Sequence, residues 1–131
     1  MRYLLLYLVA LITLFVLDGL WLGLIAKKFN YEKLGFLLAE QPRWSAAIVF
    51  YLLYAAGILF FCTRAAIDAA SLQTALLHGA ALGLLCYGTF DLTCAALVKN
   101  WPLIFSVVDM IWGTVMTAMA STVLFYASKW M

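Results

Sequence analysis

Charged side chains are scarce in this chain. Asp, Glu, Lys and Arg make up 11% of its 131 residues, against about a quarter in a soluble domain. The shortage excludes a soluble enzyme, a disordered tail and a nucleic-acid binder, all of which depend on a charged surface. Cysteine is limited to Cys62, Cys86 and Cys94, with no C-x-x-C pair, so neither a metal motif nor a disulfide framework is indicated. Isolated thiols within apolar runs read as small buried hydrophobes. The one histidine, His78, lies thirteen residues before the nearest helical acid and reads as a hydrogen-bonded helix residue. With one distant His and scattered Cys, zinc and haem are not expected, and the sequence asks for no cofactor and no nucleic-acid partner.

What is present is apolar. Hydrophobic residues make up 68% of the chain and mean hydropathy is +1.06. A membrane-crossing helix needs about 20 such residues, and four runs qualify, over residues 3–26, 44–63, 72–98 and 102–128. The fold class is therefore all-α: one domain, a polytopic four-helix transmembrane bundle whose main partner is the lipid bilayer. The first run is too long for a signal h-region and contains Asp18. It is followed by Lys27 and Lys28 rather than a small-residue cleavage site, and is expected to be a retained helix.

Short connections make consecutive helices antiparallel. Residues 64–71 read as a turn, Lys99-Asn100-Trp101 as a tight connection, and Pro102 suits the first turn of the last helix. The first connection, residues 27–43, is longer. It mixes Phe29, Leu34, Phe36, Leu37 and Leu38 with Lys27, Lys28, Glu32 and Lys33. That pattern fits an interfacial helix, or a lid over the bundle mouth. The side holding the 1–2 and 3–4 connections carries Lys27, Lys28, Lys33, Arg43 and Lys99, against Arg2, Arg64 and Lys129 on the other. Basic residues favour the cytoplasm, so the 1–2 and 3–4 connections are expected there. Small residues at four-residue spacing, Gly19 and Gly23, Gly79 and Gly83, Gly113 and Thr117, allow close backbone approach.

The eight basic residues all sit in connections or at helix ends, whereas three of the six acids, Asp18, Asp91 and Asp109, lie inside apolar helices. Each is seven or eight residues from the same membrane face. At 1.5 Å per residue all three lie about 10–12 Å below it. A charged Asp at a helix centre costs about 2.5–3.5 kcal/mol, and no Lys or Arg shares this depth. The layer must therefore be protonated, hydrated or matched by a cation, and close carboxyls share protons as a set. Aromatic and hydroxyl residues occupy the same layer: Trp21 and Trp112 in matching D-x-x-W spacings, Tyr51 and Tyr54 on the second helix, Tyr87, Thr89 and Thr93 around Asp91, and Ser106 before Asp109. These are the candidate ligand- or cation-binding residues. No catalytic residue and no metal ligand can be assigned.

The segments L-D-G-L-W-L-G, Y-L-L-Y-A-A-G, Y-G-T-F-D-L-T and V-D-M-I-W-G-T, one per helix, resemble a bacterial family of small four-helix membrane proteins catalogued as domain of unknown function 2177. The resemblance covers nearly the whole chain and implies a bacterial inner-membrane protein built around the same Asp, Trp and Tyr positions. It implies no activity.

Three functions fit the residues. A protein that binds or transports a proton, cation or small amine would use the acids as the ion path and the aromatics as walls. Four helices enclose no wide path, so it is expected to pair as a homodimer or with a membrane-complex partner. A membrane-embedded isomerase or cyclase would use the acids for acid–base chemistry on a lipid or isoprenoid. A structural subunit would use the polar layer only to pair helices.

Overall fold

The computed structural model describes residues 2–38 and 43–130. Residues 39–42, with Glu40 and the end of the first connection, lie outside the described residues. Four helical stretches are long and apolar enough to cross a membrane: Arg2–Ile25, Trp44–Ala69, Leu72–Leu97 and Leu103–Lys129. The first span is helix α1 (Arg2–Leu20) and a wider π-helical turn (Trp21–Ile25). The chain breaks at Ala26, and α2 (Lys27–Leu34) follows as a short polar helix in the first connection. The second span is α3 (Trp44–Ile58), a π turn (Leu59–Thr63) and α4 (Arg64–Ala69), and the last two are α5 (Leu72–Leu97) and α6 (Leu103–Lys129).

Element ends differ from the sequence reading at two places. Residues 64–69, read as part of a turn, continue the second span as a helix. R-A-A-I-D-A is good helix-forming sequence, and Arg64 need not leave the helix end, because its guanidinium lies 5.3 Å from the Phe60 ring centroid. The helix stops where Ala70 adopts a left-handed conformation, φ 50°. Ser71 then caps α5, accepting from the Thr74 N–H at 3.1 Å. Pro102 stands just before α6 as its cap rather than inside the first turn.

The closest pairing joins α5 to α6, and glycine allows it. A Cβ on Gly79 would lie 2.8–2.9 Å from Ser121, Ala118 and Thr117 atoms, and one on Gly83 would meet the Gly113 carbonyl. Ser121 Oγ donates to the Ala75 carbonyl across this seam at 2.8 Å. Gly19 and Gly23, by contrast, have nothing within 4 Å of the corresponding position.

On α1, Leu6, Ala10 and Leu14 recur every four residues and form one buried stripe. They pack with Tyr54, Ala55, Ile58, Cys62, Met116, Ala120 and Leu124 as the core. Asp18 continues the same stripe and is itself buried, so the face that packs α1 also turns this carboxyl inward. Of the cysteines only Cys62 is buried; Cys94 is half-buried and Cys86 exposed, because α5 turns that face away from the core. The outward faces carry exposed Leu, Ile, Val and Phe, as a lipid-facing surface requires. The chain is an integral membrane protein in a lipid bilayer.

The second span bends the bundle open at one end. Its first half, α3, packs on α1, while its π turn and α4 pack on α5 and α6. Near the 1–2 and 3–4 connections α3 therefore hardly touches α5. The gap between them is where the candidate site lies.

Candidate functional site

A cavity of about 440 Å³ occupies this gap. The first span contributes Asp18, Trp21 and Leu22, α3 contributes Phe50 and Tyr51, α5 contributes Cys86, Tyr87 and Phe90, and α6 contributes Asp109 and Trp112. No basic side chain lines it.

Asp18 is held from two sides by neutral donors. Tyr51 donates to Oδ2 at 2.8 Å, and the Trp112 indole N–H donates to Oδ1 at 3.1 Å. The Trp112 ring is in turn stacked on Trp21, with centroids 4.5 Å apart and planes within 4°. The π turn begins at Trp21, immediately beyond the helical stretch that carries Asp18. The D-x-x-W spacings thus cross over: Trp112 bonds the acid of the other helix rather than Asp109 in its own.

Tyr54 sits below this level. Its hydroxyl shares a 2.6 Å hydrogen bond with Thr117 Oγ1 in the bundle interior, and its ring stacks on Phe50 with centroids 5.2 Å apart. The Tyr87 ring lies against Gly113, where a Cβ would collide with it, so a missing side chain on α6 makes the recess that seats Tyr87.

Asp91 is fully buried but does not line the cavity. It stands behind Asp109, with the two carboxyls in direct reach of each other. Neither carboxylate can donate, so both Asp91 oxygens lack a hydrogen-bond partner. Ser106 serves this seam rather than the cavity: it accepts from Trp101 Nε1 at 2.8 Å and donates to the Asp91 backbone carbonyl at 2.8 Å. Thr89 and Thr93 share the depth of Asp91 but face outward. Thr89 bonds its own helix, at the Leu85 carbonyl, 2.6 Å away. His78 is also apart, with Nδ1 3.2 Å from the Phe61 carbonyl.

The structure therefore brings together Asp18, Asp109, Trp21, Trp112, Tyr51 and Tyr87 around one space. It sets Tyr54, Asp91 and Ser106 into the adjoining seams and leaves Thr89 and Thr93 outside. Among the described residues, no three His, Cys, Asp or Glu side chains are grouped to hold a metal ion. Leu22, Phe50, Cys86, Phe90 and Trp101 were not singled out by sequence. Phe50 and Cys86 each precede a candidate tyrosine by one residue, a neighbourhood signal that does not separate a cavity lip from a lipid-facing side chain.

Chemically, the cavity combines two acids with aromatic faces in a water-poor setting. It suits a ligand that carries a positive charge on an apolar body. The family model described as "Predicted membrane protein (DUF2177)" matches residues 3–126, and the chain belongs to that family. No curated protein and no solved structure matches it.

Proposed function

We propose that this member of the DUF2177 family binds a small organic cation, an amine above all, in the cavity between α3 and α5, and passes it or a proton across the membrane. The observation that carries the reading is the lining itself: Asp18 and Asp109 among Trp21, Trp112, Tyr51, Tyr87, Phe50 and Phe90, without one basic side chain. About 440 Å³ falls within the range of about 300–1,000 Å³ common for small-ligand sites. Asp18 has its acceptors engaged by neutral donors and supplies fixed negative charge. The Asp109 carboxyl and Tyr87 hydroxyl, which line the same space, are available to receive a ligand N–H. The stacked indoles add cation–π attraction, worth about 0.5–2 kcal/mol per ring. In this reading the 1–2 and 3–4 connections face the cytoplasm of a bacterial inner membrane, and a second copy of the chain completes the path that four helices leave open.

One observation favours a second reading. The cavity residues Leu22, Phe50, Cys86 and Phe90 are exposed on the flank of the spans, so an acyl or isoprenoid tail has a sideways route to the two acids. That would suit acid–base chemistry on a lipid.

A matched ligand pair separates the two. Benzyltrimethylammonium and neopentylbenzene have nearly the same shape and differ in charge. The cation is expected to bind the purified full-length chain at least about tenfold more tightly than the neutral isostere. Trp112→Ala is expected to weaken it about fivefold to thirtyfold, as removal of one aromatic face from beside the cation should. Calorimetry in lipid nanodiscs measures both. Equal affinity for the two ligands, or no binding of the cation, would remove the cation reading and leave the lipid one. Proteoliposomes with a pH gradient then test movement, with amine uptake expected to collapse when the gradient is dissipated.

A further inference from the structure

Behind the cavity wall is a group the binding reading does not use. Asp91 is fully buried on a membrane-spanning helix, and neither of its carboxyl oxygens has a hydrogen-bond partner. An ionised carboxylate in that position would be a buried charge without compensation, among the costliest arrangements a protein can hold. The surroundings offer no cation. From α6 the titratable group facing it is Asp109. One turn earlier on α5 is Tyr87, and from the first span Asp18 lies beyond Asp109 and acts on it electrostatically. The antiparallel register of α5 and α6 fixes the meeting. Gly83 lies against Gly113 and the Asp91 carbonyl against Ser106, which leaves Asp109 on the stretch between Tyr87 and Asp91.

We propose that Asp91 and Asp109 form a carboxyl pair that binds a proton between them, a proton site set behind the cavity and distinct from the Asp18 clamp. With one proton held, Asp91 is the donor and Asp109 the acceptor: the O–H of Asp91 points at an Asp109 oxygen, and the Asp109 negative charge remains available on the cavity side. A single proton thus satisfies the orphaned Asp91 oxygen and orients Asp109. A second proton can be taken up only on Asp109, where it competes with a cation in the cavity. Loading the cavity expels that second proton to solvent, and the first stays on Asp91. Cation and proton then exchange one for one at Asp109. This coupling rests on the cation reading of the cavity; the one-proton pair does not.

Two measurements on the full-length chain in nanodiscs test the proposal and keep the two parts apart. Infrared spectra near neutral pH, without ligand, are expected to show the band of a protonated carboxyl, present in Asp18→Asn and absent in Asp91→Asn. Calorimetry with benzyltrimethylammonium, which has no proton of its own to lose, is run in buffers of different ionisation enthalpy and so counts the protons released. Affinity is expected to fall as pH falls, with proton release growing in step. Asp91→Asn, whose amide still donates to Asp109, is expected to stay within about threefold of the parent affinity, and Asp91→Leu, which cannot donate, to lose about tenfold or more. Should Asp91→Leu fail to fold, the Asn variant and the infrared band decide alone. A missing band in the parent, or one that survives Asp91→Asn, overturns the pair. A band that behaves as expected in a protein that binds no cation upholds the pair and removes the coupling. Cation binding without pH dependence or proton release overturns the exchange.

Discussion

Replacing Gly83 by leucine is expected to force α5 and α6 apart and cost about 3 kcal/mol or more, the upper end of overpacking penalties. The new Cβ would meet the Gly113 carbonyl and approach Thr117 Oγ1 to 2.8 Å, and neither obstacle is the free end of a flexible chain. Backbone must move, and with it the seam that holds Ser106 on the Asp91 carbonyl and Ser121 on the Ala75 carbonyl. The same replacement at Gly19 is expected to change stability by no more than about 0.5 kcal/mol, as at an ordinary surface position, since nothing lies within 4 Å of its Cβ position. Thermal unfolding in detergent, followed by size-exclusion chromatography, compares the two directly. A Gly83→Leu protein that melts with the parent would contradict the close seam. A Gly19→Leu protein that melts as early as Gly83→Leu would mean that the open side of α1 is covered by another chain.

The second large effect is expected at Asp18. Its carboxyl receives one donor from α3 and one from α6, so it ties three spans together. Tyr51→Phe and Trp112→Phe each remove one donor while keeping an aromatic ring. Each is expected to cost about 1.5–3 kcal/mol, the range for hydrogen bonds to a charged group, and the double variant more than either. Adding Asp18→Leu to the double variant should recover much of the loss, because no polar group is then stranded. Asp18→Leu in the parent should instead destabilise by leaving both donors unsatisfied, and Asp18→Asn should fold better than Asp18→Leu. The cycle is read from melting temperatures in detergent. If Asp18→Leu is equally harmful in both backgrounds, the two hydrogen bonds do not carry the stability assigned to them.

The four spans were legible from length and hydropathy because the bilayer imposes both. The π turns were not, since one extra residue in a helical turn leaves no mark on composition. Depth was legible for the site as well. Counting residues from the membrane face placed Asp18, Asp109, Trp21, Trp112, Tyr51 and Tyr87 at one level, and the structure places them around one space. Direction around the helix axis was less legible. Thr89 shares that level but is two residues from Asp91, about 200° around α5, and so faces outward with its hydroxyl on Leu85. The apolar lining was hidden for another reason. Phe50 and Phe90 look like any lipid-facing residue, and only the divergence of α3 from α5 makes them cavity walls.

The π turn at Trp21–Ile25 also bears on the gene. Such a turn accommodates one residue beyond an ordinary helical one, so its presence is equivalent to a single inserted codon. Removing one codon there, for instance that of Gly23, which touches nothing, would restore regular pitch and rotate all that follows by about 100°. Asp18, upstream, would keep its place. Phe29 would swing away from Phe105, on which it now stacks with centroids 6.3 Å apart, and α2 would lose its seat at the head of α6. Reading-frame-preserving changes of one residue, harmless in most loops, are therefore expected to be purged from this five-residue stretch even though its side chains are largely exposed.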